Sequence, residues 1–141
     1  MAAIKASTAL RVSVVAEWSL VAATVALSLL REDLLPEPLR DWVADEATRE
    51  STGFERGLLV VSVVALIAHL AASVGLLQLR RWAAWLYLAT TALVYVIAAF
   101  LGPTVDDALG ATVSELATAF SGAVIALAFF TDALQGGAKQ A

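Results

Sequence analysis

Apolar residues fill four long stretches of the chain, and each is long enough to cross a lipid bilayer. The stretches lie near residues 10–30, 57–79, 82–101 and 109–130. A membrane-spanning helix needs about 20 mostly apolar residues. The first stretch exceeds the apolar region of a signal peptide, which has about 7–15 residues, so we interpret it as a span. The pattern predicts an all-α, polytopic membrane protein: an up-down bundle of four transmembrane helices in a single domain, residues 1–141.

A polar loop at residues 31–56 separates the first two stretches and contains four arginines and eight acidic residues. Within it, "LLPEPLRDWVADEATRES" places Pro36 and Pro38 before a run that favours helix. Proline is well tolerated in the first turn of a helix. Leu39, Trp42 and Val43 would share one face of that helix. The loop therefore predicts a short amphipathic helix at the membrane surface or over the end of the bundle.

The composition narrows the classes of partner and cofactor. The chain is 60% hydrophobic and 16% charged, whereas soluble proteins have about 45–50% and about 25%. The lipid bilayer is thus the main expected partner. The net charge of −4 and the lack of a basic stripe argue against a nucleic-acid partner. The chain has no cysteine, which excludes thiolate metal sites within it, and a single histidine, which excludes haem ligated by two histidines of the same chain. We expect no cofactor and no metal.

Basic residues near the span ends predict the orientation. Lys5 and Arg11 flank the first span, Arg80 and Arg81 lie between the second and third, and Lys139 lies in the tail. These five would share one side, and the turn between spans two and three carries no acid. Cytoplasmic segments of membrane proteins are enriched in lysine and arginine. We therefore predict cytoplasmic termini. The abundance of alanine, leucine, valine and arginine suggests a bacterial inner membrane.

Polar and small residues recur along one side of each span. At 100° per residue, four polar side chains of the first span fall near one line: Ser13, Glu17, Thr24 and Ser28. Comparable stripes occur in the other spans: Ser62, His69 and Ser73 in the second, Ala84, Tyr87, Thr91, Tyr95, Ala98 and Gly102 in the third, and Ser114, Thr118 and Gly122 in the fourth. Glu115 and Ser121 flank the stripe of the fourth span. Such faces promote close helix packing and hydrogen bonds between helices. We expect the stripes to face a bundle core, and Trp18 to face lipid or a partner subunit.

Glu17 and His69 are the two ionisable residues expected deepest in the membrane. At 1.5 Å per residue, Glu17 lies roughly 5 Å from the centre of its span and His69 within about 2 Å of its own, both displaced toward the cytoplasmic side. An ionised side chain at the bilayer centre costs about 2.5–3.5 kcal/mol on insertion scales, so such residues usually have polar partners and a function. The matching depths predict a contact between Glu17 and His69. Glu115, nearer the outer end of its span, is expected at the interface.

These residues define the candidate site. The predicted ligand-binding residues are Glu17, His69, Tyr87, Thr91, Tyr95 and Thr118, and the candidate catalytic residues are Glu17 and His69. A purely structural role for the pair is the main alternative, since buried polar groups can fix helix register. Walker, dinucleotide-binding and GxSxG motifs are absent from the sequence.

Three classes of function fit this pattern. In the first, the polar core binds or translocates a proton, an ion or a small lipophilic ligand. The layout is similar to that of small multidrug-resistance transporters, which have four short spans and an essential glutamate in the first, matched here by Ala16-Glu17. The departures are the long first loop, the histidine in span two and the lack of a clear glycine-rich third helix. In the second class, the chain is an accessory subunit of a homo-oligomer or larger membrane complex. In the third, it is a membrane enzyme that uses Glu17 and His69 as general acid and base.

Overall fold

The computed structural model describes residues 5–30, 36–100 and 108–134, and regular structure within these ranges is helical. The helices are α1 (Ala6–Leu30), α2 (Glu37–Thr48), α3 (Gly53–Leu77), α4 (Arg81–Ala98) and α5 (Ala108–Phe130), followed by a 3₁₀ turn (Asp132–Leu134). All except α2 are long and apolar enough to cross a membrane. The protein is a multi-pass membrane protein with the predicted four-helix fold. Gly102, which the sequence places in the stripe of the third span, and Lys139 of the tail lie outside the described residues.

The start of α3 is fixed by a reciprocal cap. The Thr52 hydroxyl accepts a hydrogen bond from the Glu55 backbone N–H, and the Glu55 carboxylate accepts one from the Thr52 N–H. This capping box satisfies two of the backbone donors that a helix start leaves unpaired. Arg49 pairs with Glu55 and with Glu46, and these carboxylates raise the pKa of its guanidinium. The network connects the end of α2 to the start of the second span.

A tight turn joins α3 to α4 and makes them neighbours. The Arg80 N–H bonds the Gly75 carbonyl, and the Leu79 N–H bonds the Leu76 carbonyl. This is the Schellman pattern, which places the residue after the helix cap in the left-handed region. That residue is Leu79, with φ of 59°, where glycine is usual. The Leu79 side chain packs against the buried cluster, which fits the leucine to this position.

Many buried and half-buried residues recur at intervals of three, four or seven residues along one side of each span. They include Leu10, Val14, Glu17, Val21 and Thr24 in α1, Leu58, Ser62, Ala65, His69, Ala72 and Leu76 in α3, Ala83, Tyr87, Thr90 and Ile97 in α4, and Gly110, Ala117, Ser121, Val124 and Ala128 in α5. A repeat of 3.5 residues is typical of helices that coil around one another with a left-handed twist. The four spans thus pack as a bundle in which each turn faces the common core.

The spans are arranged as two antiparallel pairs, α1 with α5 and α3 with α4, that face each other across the core. The α3–α4 turn lies beside the start of α1, because Arg11 Nε donates to the Leu77 carbonyl at 3.0 Å. We call this half of the bundle the turn half. The opposite half holds the start of α3 and the end of α4, where the rings of Phe54 and Phe100 meet. We call it the loop half.

Close packing characterises the turn half. Leu10, Val14, Leu76 and Val124 are at most 1% exposed and share one apolar cluster with several alanines. At Gly75, an added Cβ would lie 2.6 Å from the Ala83 Cβ, which no real side chain tolerates. Small residues therefore bring α3 and α4 together here, as they do in many membrane bundles.

The predicted amphipathic helix is present as α2, with Pro36 and Pro38 at its start. Its apolar face remains accessible: Leu39, Trp42 and Val43 are each about 40% exposed. The described part of α2 thus contributes little to the buried core, in contrast to the four spans.

Candidate functional site

Glu17 lies in the core, 5% exposed, and its main partner is a tyrosine on a different span. Tyr87 Oη on α4 lies 2.5 Å from each carboxylate oxygen of Glu17 and donates to that carboxylate. The same phenolic oxygen is 3.1 Å from Ser121 Oγ on α5. Both Tyr87 and Ser121 are buried, so the carboxylate is held by hydroxyls where water is scarce. Hydrogen bonds to a charged group contribute about 1.5–3 kcal/mol each.

His69 on α3 approaches the same carboxylate from the other side. Its Nε2 is 3.7 Å from Glu17 Oε1, so the contact predicted from the matching depths is present. Its Nδ1 is 2.9 Å from Thr90 Oγ1 on α4. The imidazole also lies against the Tyr87 ring, with centroids 4.4 Å apart. The Nδ1 contact and the stacking on Tyr87 orient the imidazole so that Nε2 faces Glu17.

These contacts form one polar cluster that joins all four spans. It consists of Ser121, Tyr87, Glu17, His69 and Thr90. The five residues lie on four different spans, and the packing of these spans against one another brings them together. The cluster lies where the packed turn half ends, and it separates that half from a cavity in the loop half.

The cavity has a volume of about 450 Å³ and lies between the two helix pairs in the loop half. Most of its lining is apolar, while Glu17, His69 and Ser121 present polar atoms at the end nearest the turn half. The remaining lining residues are Trp18, Val21, Ser62, Leu66, Thr91, Val94, Tyr95, Ile97, Ala98, Ser114, Ala117 and Thr118. A smaller cavity of about 300 Å³ lies in the turn half beside Arg81 and Trp85, away from the polar cluster. Of these two cavities in the described part of the chain, the larger one contains the polar cluster residues Glu17, His69 and Ser121 in its lining.

Five of the six predicted binding residues line this cavity: Glu17, His69, Thr91, Tyr95 and Thr118. The sixth, Tyr87, is buried behind Glu17 and reaches the cavity only through that carboxylate. The predicted residues thus meet at one place, although their roles differ. Tyr95, which is 53% exposed, belongs to the wall rather than to the polar cluster.

The expectation that Trp18 faces lipid or a partner subunit is wrong. Its side chain is half-buried, lines the cavity and stacks obliquely near the His69 ring at 5.9 Å between centroids. Its indole Nε1 is buried and, among the described residues, has no hydrogen-bond partner; the same holds for Thr91 Oγ1. An unpaired buried donor costs about 1–3 kcal/mol, so both atoms suit a site that receives a polar ligand.

Sequence reasoning missed the parts played by Thr90 and Ser121. The stripe expected on α5 was Ser114, Thr118 and Gly122, with Ser121 flanking it, whereas the buried stripe contains Ala117 and Ser121. On α4, Thr90 rather than Thr91 contacts His69. At 100° per residue, Thr90 and Thr91 lie about 60° and about 40° to either side of Tyr87, so the helical repeat alone does not choose between them.

The cluster contains a single acid and a single base. Within the described ranges, no group of three or more histidine, aspartate or glutamate side chains is placed to hold a metal ion. Glu115 on α5 is exposed and is not part of the cavity lining. The site thus offers one carboxyl group and one imidazole, which can share a proton or offer hydrogen bonds to a ligand in the cavity.

No protein-family model, curated protein or solved structure matches the chain.

Proposed function

We propose that the protein binds a small lipophilic molecule in the cavity of the loop half, with Glu17 and His69 as its polar anchor. The observation that carries this proposal is the position of the pair at the polar end of a largely apolar cavity of about 450 Å³. Binding sites for small molecules typically have volumes of about 300–1,000 Å³, apolar walls and a few convergent polar groups. Ionisable residues within spans are also most often functional.

Binding is favoured over conduction by the structure of the turn half. A pathway for an ion through the bundle would have to pass Leu10, Val14, Leu76 and Val124, which are essentially fully buried and packed together. Translocation would thus require this half to open, whereas binding requires no rearrangement of the packed core. The ligand would enter from the loop half or from between the helix pairs.

A catalytic role is the second candidate. One observation favours it: the Glu17 carboxylate contacts both a phenol, Tyr87, and an imidazole, His69, a combination that can move protons between a substrate and the protein. Conversion of a bound lipophilic probe to a product, followed by mass spectrometry, would separate an enzyme from a binding protein. Loss of turnover in Glu17→Gln with retained binding would support catalysis.

Binding is tested by thermal unfolding of the full chain in phosphatidylcholine nanodiscs with farnesol, farnesylamine and the hydrocarbon farnesane. A ligand that binds only the folded state raises its stability by about 2.7 kcal/mol at 100 times the Kd. We expect at least one probe to raise the unfolding temperature of the wild type and of Glu115→Gln, but much less that of Glu17→Gln. Glu115 is the matched control, because it is an exposed glutamate on a neighbouring span. Failure of all three probes on the wild type would contradict the proposal.

We also propose that both termini face the cytoplasm, in a bacterial inner membrane. Lys5, Arg11, Arg80 and Arg81 all belong to the turn half, which supports placing that half at the cytoplasmic surface. Because the chain has no cysteine, a single introduced cysteine shows on which side of the membrane its position lies. In intact cells, a membrane-impermeant maleimide should label Glu50→Cys and not Gln78→Cys. The reverse pattern would overturn this orientation.

A further inference from the structure

The hydrogen bonds around His69 fix which of its ring nitrogens carries a proton. Thr90 Oγ1 lies 2.9 Å from the Leu86 carbonyl and 3.0 Å from the Tyr87 carbonyl, and carbonyls only accept hydrogen bonds. The single Thr90 hydroxyl hydrogen is therefore committed to the backbone, and its oxygen accepts from His69 Nδ1–H. His69 Nε2, on the other side of the ring, is left to face Glu17.

Glu17 is likewise fixed on one side and open on the other. The Tyr87 hydroxyl donates to the carboxylate, which leaves lone pairs of Oε1 directed toward His69. The gap between Oε1 and Nε2 is 3.7 Å. A direct N–H···O bond has a length of about 2.7–3.2 Å, so the two groups are near enough to attract each other but do not bond directly.

Charge balance favours one proton shared between Glu17 and His69. Apart from Glu17 and His69, the described cavity lining contains no residue that is charged at neutral pH. An unpaired buried charge is strongly destabilising. With one proton shared between them, the pair is either carboxylate with imidazolium or carboxylic acid with imidazole. In both states the pair presents one hydrogen-bond donor and one acceptor, side by side, at the cavity.

We infer that the ligand is a lipophilic alcohol or phenol, whose hydroxyl bridges Glu17 and His69. This inference rests on the proposed binding function and specifies the chemical class of the ligand. A hydroxyl both donates and accepts through one oxygen, and one oxygen can reach both Oε1 and Nε2 across 3.7 Å. An ether or a carbonyl only accepts, and an ammonium group only donates. Each would leave one member of the pair without a partner.

The test compares three probes that share a hydrocarbon chain: farnesol, farnesyl methyl ether and farnesylamine. Apparent Kd values come from concentration-dependent thermal shifts in phosphatidylcholine nanodiscs, corrected for the partition of each probe into empty nanodiscs. We expect wild-type protein to bind farnesol at least about tenfold more tightly than the other two, since a hydrogen bond to a buried polar pair has a net value near the 1.4 kcal/mol that corresponds to tenfold. The preference should vanish in His69→Phe, which keeps a ring, and persist in Glu115→Gln.

The outcomes separate this inference from the proposed function. Equal affinity of the wild type for alcohol and ether would overturn the hydroxyl bridge while leaving lipophilic binding intact. Tightest binding of the amine would overturn it in favour of an anionic site made by Glu17 alone. Saturable binding of none of the probes would instead contradict the proposed function. The probe series on the wild type decides these points even if His69→Phe fails to fold.

Discussion

The two halves of the bundle are built from the same four helices but pack differently. In the turn half, glycine and alanine at the core positions let helices touch, as Gly75 and Ala83 show. In the loop half, the two helix pairs diverge around a cavity of about 450 Å³. The boundary between the halves is the polar cluster around Glu17. The comparison shows that a regular helix repeat can support both a closed core and a binding site, depending on side-chain size and on where polar groups interrupt the apolar layers.

The largest effect is expected from a leucine at Gly75. Its Cβ would lie 2.6 Å from the Ala83 Cβ and 3.1 Å from the Trp82 ring, so α3 and α4 would have to separate. We expect the free energy of unfolding to fall by about 3 kcal/mol, in the upper part of the usual range for overpacking. A lower unfolding temperature and a smaller monodisperse peak in size-exclusion chromatography would measure this effect. Gly122→Leu is the matched control, because a Cβ there meets nothing within 4 Å. Equal loss in both variants would contradict the account of the turn half.

Removal of the Tyr87 hydroxyl tests the boundary between the halves. Tyr87→Phe leaves the Glu17 carboxylate without its donor at 2.5 Å, in a buried position. We expect a loss of about 2 kcal/mol in the free energy of unfolding, as for a hydrogen bond to a charged group. Tyr95→Phe, on the same helix but with the side chain 53% exposed, should change stability by less than about 0.5 kcal/mol. If both variants behave alike, the cluster does not depend on the phenol.

A larger side chain within the cavity should weaken ligand binding without lowering the stability of the fold. Thr118 lines the cavity and its hydroxyl bonds only its own helix backbone, at the Ser114 carbonyl. We expect Thr118→Leu to weaken farnesol binding about tenfold, equivalent to about 1.4 kcal/mol, and to leave the unfolding temperature without ligand unchanged or slightly raised.

Thr112→Leu provides the control for this substitution. Thr112 lies on the same helix, makes the equivalent backbone hydrogen bond to the Ala108 carbonyl, and is absent from the cavity lining. Its replacement should leave farnesol affinity at the wild-type value. Equal weakening in both variants would show that binding does not occur in the cavity.

The smallest effect is expected outside the bundle. Trp42 on α2 is 41% exposed, so Trp42→Ala should change the free energy of unfolding by less than about 0.5 kcal/mol. Chemical denaturation of the nanodisc-embedded protein would measure it. A loss as large as that of Tyr87→Phe would mean that α2 packs onto the bundle and belongs to the loop half.

The number of spans, the surface helix and the Glu17–His69 contact could be predicted from the sequence. Span length and apolarity follow directly from bilayer thickness, and two ionisable groups at equal depth have few partners other than each other. The finer pattern could not be read at 100° per residue. Thr90 rather than Thr91 contacts His69, and Ser121 rather than Thr118 contacts Tyr87. Trp18 lies beside the His69 ring. These choices between neighbouring positions depend on how the helices pack against one another.

The cavity itself was beyond sequence reasoning for a physical reason. Its volume depends on how far apart the two helix pairs lie in the loop half, and the types of residue along a stripe do not specify that distance. A polar stripe indicates that residues face a core, but the same sequence pattern is expected for a tightly packed core and for a core that contains a cavity.

The most direct test of the central claim is photolabelling with a diazirine analogue of farnesol that keeps the hydroxyl, followed by peptide mass spectrometry. We predict labelling that unlabelled farnesol competes away at Val21, Leu66 and Val94, which line the cavity. Labelling of Val12 and Trp82, exposed residues of the turn half, should not be reduced by the competitor. Labelling that is non-saturable everywhere, or that competition removes equally in both halves, would contradict a ligand site anchored by Glu17 and His69.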